Sequence, residues 1–109
     1  MTRDGAGAAV YYPQTATYAV FSPDGPRPQF LVDSSQLCVV LTGLEAGQRI
    51  PSHPEWLAVY HFLEGSGDMF VNGQTLPVGP GATVIAPPGN ARGMHAVTRL
   101  VFLAAKTQG

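Results

Sequence analysis

Two short stretches of the sequence hold polar side chains whose types and spacing are suited to chemistry. Residues 47–56 include His53 and Glu55, and residues 81–92 end in Arg92. His53 and Glu55 are two positions apart, so on a strand their side chains project from the same face. Such a pair could hold one side of a metal ion, or the carboxylate could orient the imidazole for proton transfer. Arg92 keeps its charge and could bind a carboxylate or phosphate through two parallel hydrogen bonds.

Each of these side chains also has a purely structural interpretation, which the sequence leaves open. His53 could be hydrogen-bonded inside a polar cavity, and Glu55 could be an ordinary solvated carboxylate. Arg92 could form an ion pair with Glu55, or it could bond backbone carbonyls and hold the Pro-Pro-Gly loop that precedes it. The choice depends on the elements that carry these residues.

Short strands are the elements that must position them. Apolar residues make up 45% of the 109 residues and charged residues only 12%, while 13 glycines and 10 prolines supply many turn formers. Segments rich in Val, Phe, Tyr, Leu and Thr predict strands. The predicted strands lie near Thr17–Phe21, Gln29–Asp33, Gln36–Thr42, Leu57–Leu63, Asp68–Val71, Gln74–Leu76, Ala82–Ala86 and Met94–Ala104. Short strands separated by Pro- and Gly-rich turns indicate an all-β sandwich, jelly roll or small barrel.

Composition and charge exclude several classes of protein. Six Lys and Arg against seven Asp and Glu give a net charge of −1, which offers no attraction for nucleic-acid phosphates. No apolar run reaches the ~18 residues of a membrane-spanning helix, and the start lacks the apolar core of a secretory signal. Cys38 is the only cysteine, so an intrachain disulfide is impossible, and we expect it to be buried on a strand. We therefore expect a cytoplasmic protein that binds neither nucleic acid nor membranes.

Three segments of the sequence carry a family resemblance. They are residues 47–56 (GQRIPSHPEW), 62–67 (FLEGSG) and 81–92 (GATVIAPPGNAR). Their order and separation resemble the two motifs of the small single-domain cupins, which are RmlC-like jelly rolls, and the resemblance covers roughly residues 36–105. It implies one cupin-type double-stranded β-helix, or jelly-roll barrel, over residues 16–109. Residues 1–15 would then form a flexible or strand-exchanged N-terminal arm.

The resemblance also shows departures at the metal-binding positions. Cupins that use a metal hold it by two His and a Glu of the first motif and a His of the second. Alignment on the motif's Gly and Pro places His53 at the first His and Glu55 at the second, while Ala58 and Arg92 take the other two positions. An alternative alignment, with His53 at the second position, leaves even fewer ligands. Because metal sites usually need three or four converging ligands, we predict no metal, and a divalent transition metal remains the alternative.

The other two histidines, His61 and His95, are candidate replacement ligands. Alternation along the strand gives Tyr60 the inward face and His61 the outward face. Likewise, Arg92 faces inward and His95 the opposite side, unless a bulge after Gly93 turns His95 into the cavity.

Three functional hypotheses follow. In the first, the chain binds a small molecule, anionic or sugar-like, in a polar cavity of His53, Glu55, Tyr60 and Arg92, without a metal. In the second, it is an enzyme: a metal-free isomerase, epimerase or cyclase would use His53 as general base, Glu55 to fix its tautomer and Arg92 to hold an oxyanion. An oxygenase or lyase would instead use a rearranged metal site of His53, Glu55 and His95. In the third, a filled cavity makes the chain a regulatory or interaction module.

We also expect a homodimer, because two-fold dimers are the commonest oligomers and the resemblance favours them. The segment Tyr11-Tyr12-Pro13 and the predicted strand around Tyr18 are the candidates for exchange between the two subunits, because an apolar arm needs cover.

Overall fold

Nine strands and one short 3-10 helix make up the secondary structure of residues 8–108, the part of the chain that the computed structural model describes. The 3-10 helix is Thr15–Tyr18, and the strands are β1 Arg27–Asp33, β2 Leu37–Leu44, β3 Arg49–Pro54, β4 Ala58–Glu64, β5 Gly67–Val71, β6 Gln74–Val78, β7 Thr83–Ala86, β8 Ala91–Ala96 and β9 Leu100–Thr107. They form a five-stranded sheet in the order β1-β2-β9-β4-β7 and a four-stranded sheet in the order β3-β8-β5-β6. All pairings are antiparallel, and the all-β jelly-roll prediction is confirmed.

The core lies between the two sheets and follows the alternation of the strands. On β4, Ala58, Tyr60 and Phe62 are buried, whereas His61 is exposed, as the period of two predicts. The ring of Phe102 on β9 lies 5.9 Å from that of Tyr60 and 5.8 Å from that of Phe62, measured between centroids. These aromatic contacts join the neighbouring strands β4 and β9 on their inner face.

The predicted strand Thr17–Phe21 is wrong. The chain forms the 3-10 helix Thr15–Tyr18 there and continues without a strand to β1. The hydroxyl of Thr17 donates to the carbonyl of Gln14 at 2.7 Å. A local bond of this kind offers the backbone an alternative to pairing in a sheet. The strand-forming residue types of this segment were therefore not sufficient to make it a strand.

The predicted strand Met94–Ala104 is in fact parts of two strands, β8 and β9. The chain turns at residues 97–99, where the carbonyl of Ser66 accepts the N–H groups of Val97 at 2.9 Å and Thr98 at 3.1 Å. No Pro or Gly marks this turn in the sequence, which explains why the apolar run appeared continuous.

Strand β3, which the sequence did not predict, lies at the edge of the four-stranded sheet and contains a bulge. Two prolines argue against a strand in general, but an edge position tolerates them. Ile50 pairs with Met94 and His53 with Arg92, so β3 has one more residue than β8 between these two pairs. The bulge is therefore on β3, and the alternative of a bulge after Gly93 is wrong, because β8 pairs with β5 without interruption.

Gly93 is required beneath this bulge. A Cβ atom at this position would lie 2.6 Å from the carbonyl oxygen of Ile50 and 2.9 Å from the backbone nitrogen of Ser52. Both are main-chain atoms, which cannot move aside as a flexible side chain can. The absence of a side chain at Gly93 thus lets β3 approach β8 and brings His53 opposite Arg92.

The segment before β1 packs on the larger sheet. The amide of Gln29 donates to the carbonyl of Tyr18 at 2.7 Å, and the guanidinium of Arg99 lies 4.2 Å from the ring centroid of Phe21. Residues 1–7 of the predicted arm lie outside the described residues. Strand exchange and the homodimer stay predictions.

Two other expectations concern the whole domain. Cys38 on β2 is free and buried, as predicted. Among residues 8–108, no helix combines the length and the apolar character that crossing a membrane requires. The cytoplasmic location stays a prediction.

We predict that Gly93→Ala lowers the free energy of unfolding by about 1–3 kcal/mol, the usual cost of overpacking, because the bulge on β3 must move away. Denaturant unfolding followed by circular dichroism measures this cost. Gly79→Ala is the matched control, since a Cβ there would meet its nearest atom, the carbonyl oxygen of Gly65, at an ordinary 3.9 Å. Equal losses in the two variants would contradict the role assigned to Gly93.

Candidate functional site

A cavity of about 400 Å³ lies between the two sheets. Val40, Tyr60 and Phe102 line it from the five-stranded sheet, and Ile50 and Met94 line it from the four-stranded sheet. The four residues that the sequence singled out for ligand binding, namely His53, Glu55, Tyr60 and Arg92, all line this same cavity. The structure thus brings together residues that lie up to 39 positions apart in the sequence.

His53 and Glu55 lie at the rim, where β3 ends. The Nε2 atom of His53 is 2.5 Å from Oε2 of Glu55, and its Nδ1 atom is 2.8 Å from the carbonyl oxygen of Pro51. Both ring nitrogens therefore face acceptors, and both contacts are hydrogen bonds at once only when the imidazole carries two protons. The His53 side chain is 48% exposed, so solvent reaches it from outside the cavity.

Lys106 on β9 completes this cluster, and the sequence analysis missed it. Its Nζ atom lies 2.9 Å from Oε1 and 3.1 Å from Oε2 of Glu55. The contact joins the two sheets, because Glu55 follows β3 and Lys106 belongs to β9. A signal was present in the sequence: Phe102, Ala104 and Lys106 alternate along one strand and so share its inward face.

The charge of Glu55 is set by opposing effects. Burial alone would raise the pKa of its carboxyl, because the ionised form loses water. The hydrogen bond and positive charge of Lys106, followed by those of His53, outweigh burial and hold the pKa of Glu55 below its ordinary value. The cluster therefore keeps Glu55 as a carboxylate at neutral pH.

Arg92 turns its guanidinium to the backbone. The residue is only 2% exposed. Its N–H groups donate to four carbonyl oxygens, those of Asn90 at 3.1 Å, Trp56 at 2.8 Å, Glu55 at 3.2 Å and Pro87 at 2.8 Å. A guanidinium has five N–H donors, so one is left for any other partner. This geometry supports the interpretation that Arg92 holds the loop before it.

The ion pair considered between Arg92 and Glu55 is not formed. The carboxylate of Glu55 bonds Lys106 and His53, while Arg92 donates to the backbone carbonyl of Glu55. Spacing in the sequence could not separate these two cases, because the carbonyl and the carboxylate of one residue point in different directions.

Tyr60 forms part of the cavity wall between the two cations. The Nζ atom of Lys106 and the Cζ atom of Arg92 each lie 6.0 Å from the centroid of its ring. Burial of this side chain, 3% exposed, raises the pKa of the Tyr60 hydroxyl. Tyr60 therefore offers a neutral hydroxyl at physiological pH.

Neither of the other histidines lines the cavity. His61 points outward and its Nδ1 atom lies 2.8 Å from the hydroxyl of Thr83. His95 follows the buried, cavity-lining Met94 and pairs across the sheet with Arg49 and Asp68. The rearranged metal site of His53, Glu55 and His95 is therefore not assembled.

The sequence matches the cupin domain family over residues 38–105, more than half of the chain. The chain therefore belongs to the cupin family, and its described residues form one domain with the RmlC-like jelly-roll fold.

Solved cupin structures share this fold. A cupin superfamily protein from Desulfitobacterium hafniense superposes with a TM-score of 0.83 at 13% identity, over 88% of this chain and 89% of its own. An RmlC-like cupin from Shewanella frigidimarina gives 0.73 at 20% identity, over 78% of each chain. A variant of the salicylate 1,2-dioxygenase from Pseudoaminobacter salicylatoxidans gives 0.70 at 20% identity, over 76% of this chain and 27% of its own. These likenesses show the fold alone, and no curated protein matches the sequence.

The residues at the family's metal-binding positions do not fit a metal. His53 and Glu55 have donor atoms, but the carboxylate of Glu55 is bonded to the ammonium group of Lys106. The methyl side chain of Ala58 has no atom that could bind a metal. The guanidinium of Arg92 is a cation and has no lone pair to offer a metal. Within residues 8–108, no three His, Cys, Asp or Glu side chains come together as a metal-ligand group.

We predict that Arg92→Lys destabilises the fold by about 2 kcal/mol or more, because one ammonium cannot reach all four carbonyls and the charge-assisted hydrogen bonds that it cannot form are lost. Urea unfolding measures this loss. Arg99→Lys is the matched control, since Arg99 bonds Glu45 with its side chain 62% exposed, and exposed ion pairs contribute little to stability. An Arg92→Lys variant as stable as Arg99→Lys would show that the carbonyl contacts contribute little.

The lowered pKa of Glu55 predicts acid sensitivity. The ionised carboxylate stabilises the fold above its unfolded pKa of about 4.3, and this contribution is lost as pH falls through the lower folded value. Between pH 5 and pH 3, wild type should therefore lose more stability than Glu55→Gln. When Lys106 is also replaced by Met, the pH-dependent difference in stability between the protein with Glu55 and the Glu55→Gln variant should shrink, because the main group that stabilises the ionised carboxylate is gone. Identical pH profiles of wild type and Glu55→Gln would refute the assigned shift.

Proposed function

We propose that the chain binds one small organic molecule in the cavity between its sheets, and that it does so without the metal of the family's motif. The observation that carries this proposal is the cavity itself, about 400 Å³ in volume, with the cluster of His53, Glu55 and Lys106 set into its wall. Ligand pockets usually enclose about 300–1,000 Å³ and combine apolar walls with a few polar groups. A cavity of this size favours ligand binding over the filled core of an interaction module.

The walls favour a compact, largely apolar ligand. Tyr60, Phe102 and Met94 are joined by Ile50 and Val40, so most of a bound molecule would meet hydrocarbon. A sugar carries a hydroxyl on nearly every carbon, and each hydroxyl without a partner costs free energy when it is buried. Of the two ligand classes expected from the sequence, the anionic one therefore has the stronger support.

The charges of the lining favour an oxygen-bearing acceptor group on the ligand. Arg49, Arg92 and Lys106 line the cavity against one carboxylate, that of Glu55. The ammonium of Lys106 has three N–H donors and Glu55 accepts two bonds, so one donor is left. We infer that the acceptor group of the ligand, a carboxylate or a carbonyl, meets Lys106. The dioxygenase in the comparison is named for salicylate, an aromatic acid, and this makes salicylate a reasonable probe.

The enzyme alternative with His53 as general base has less support from the geometry. A general base needs a free lone pair within reach of the proton that it removes. Both ring nitrogens of His53 are engaged, one by Pro51 and one by Glu55. An oxyanion held by Arg92 would likewise have one N–H donor at most.

The binding proposal predicts that benzoate or salicylate binds wild type and raises its unfolding temperature by mass action. Lys106→Met, which removes the ammonium but keeps an unbranched chain, should weaken binding at least tenfold, about 1.4 kcal/mol. Isothermal titration calorimetry or ligand-observed NMR measures both effects.

A matched pair of variants locates the binding site. Val40→Phe places a ring in the cavity and should abolish binding, whereas Val59→Phe adds the same ring on the outer face, where Val59 is 39% exposed, and should leave it unchanged. Lys106→Met still decides the question if Val40→Phe does not fold. If no probe binds wild type, or if probes bind wild type, Val40→Phe and Lys106→Met alike, the proposal fails.

A further inference from the structure

Thr42 on β2 is a polar residue of the cavity wall, and it is only 3% exposed. Two other buried polar side chains are paired: the hydroxyl of Ser22 accepts the N–H of Asp24 at 3.1 Å, and Arg92 donates to four carbonyls. The hydroxyl of Thr42, in contrast, forms no hydrogen bond with any group of residues 8–108. A hydroxyl that lines a cavity without a protein partner is available to a ligand.

The neighbouring side chains of Thr42 cannot supply a partner for its hydroxyl. Thr42 pairs with Pro28 on β1 and with Phe102 on β9. Along β2, the buried Val40 and Leu44 precede and follow it on the same face. None of these side chains has a hydrogen-bonding atom, and burying a hydroxyl without a bond costs free energy. Valine would fill nearly the same space without this cost, so packing alone does not call for threonine here.

We propose that the hydroxyl of Thr42 binds a second polar group of the ligand, so that the cavity takes an acid with a hydroxyl or carbonyl at the far end of an apolar body. This inference rests on the proposed function, in which the acceptor group of the ligand meets Lys106. A threonine hydroxyl both donates and accepts, so it can pair with either kind of group. A ligand that lacks the second group leaves the hydroxyl of Thr42 buried and unpaired, which disfavours it.

The strand register separates Thr42 from Lys106 along the cavity wall. Lys106 pairs with Cys38, and Thr42 lies further along the same strand, β2. Four residues at about 3.3 Å each put roughly 13 Å between the backbone positions of Thr42 and Lys106. Val40 and the ring of Tyr60 line the cavity between these two levels. The two polar groups of the ligand must therefore lie at opposite ends of its apolar body and not on adjacent carbons.

Matched ligands test this inference by isothermal titration calorimetry. Benzoate is compared with para-hydroxybenzoate, and phenylpropanoate with para-hydroxyphenylpropanoate, so that each pair differs by one hydroxyl and the two pairs differ in length. We expect the para-hydroxyl to tighten binding to wild type about fivefold or more in at least one pair, as one added buried hydrogen bond would. Salicylate, whose hydroxyl is next to its acid group, should bind no more tightly than benzoate.

Variants of Thr42 show whether its hydroxyl is the group that the ligand meets. Thr42→Val removes the hydroxyl and should abolish the preference for the para-hydroxyl compound, whereas Thr42→Ser keeps the hydroxyl and should retain that preference. Thr83→Val is the matched control, because the hydroxyl of Thr83 lies outside the cavity, 2.8 Å from Nδ1 of the outward-facing His61. This control should leave the affinities for all the probes unchanged.

Unfolding without a ligand provides a second readout. Thr42→Val should be at least as stable as wild type in urea, because its lost hydroxyl made no bond within the protein and was costly to bury. A residue kept for the hydrogen bonds of the fold would behave in the opposite way. A clear loss of stability in Thr42→Val would show that the hydroxyl already has a partner, and the proposal would be wrong.

The same titrations distinguish failure of this inference from failure of the proposed function. If benzoate or phenylpropanoate binds but the para-hydroxyl adds nothing, the role of Thr42 is wrong and ligand binding stands. The same conclusion follows if salicylate gains as much as para-hydroxybenzoate, or if the preference persists in Thr42→Val. If none of the probes binds wild type, both proposals fail.

Discussion

The guanidinium of Arg92 is the constraint on which the site depends. It bonds carbonyls from two separate connections, residues 55–56 between β3 and β4 and residues 87–90 between β7 and β8. The two connections form no strand pairing. The N–H of Gly89 also donates to the carbonyl of Glu55 at 2.8 Å, but a partly buried carbonyl that loses a hydrogen bond is costly. One planar cation with five N–H donors fixed in a fork can bond four carbonyls at once, which the three donors of a lysine cannot. Because the backbone of Glu55 is held in this way, its carboxylate has a defined direction.

The carboxylate of Glu55 points across the cavity toward Lys106. Glu55 follows the smaller sheet and Lys106 belongs to the larger one, so their contact ties the two layers together at the rim. Taking these charges out of water costs free energy, and the mutual hydrogen bonds with His53 and Lys106 offset that cost. Glu55 therefore stays ionised in a cavity whose other walls are largely hydrocarbon.

Most of the strands, the inner face of β4 and the burial of Cys38 followed from the sequence, because residue type and alternation are local properties. The path of the chain at residues 15–18 and 97–99 did not, because hydrogen bonds to Gln14 and Ser66 decided it. The family motifs placed His53, Glu55 and Arg92 around one cavity, but they could not show which atoms of Glu55 meet which cation. That depends on the backbone direction that four carbonyl contacts impose.

The role of Lys106 could not be predicted from the family motifs. It lies outside the two motifs, and its alternation with Phe102 and Ala104 indicates only a face, not a partner. Once the strands are placed, β9 lies next to β4 and its last inward side chain meets Glu55. A ligand group that accepts the remaining N–H of Lys106 therefore binds the same ammonium that joins the two sheets. Binding in the cavity and the packing of its rim are then linked, and a ligand can favour one arrangement only by as much as it binds that arrangement better.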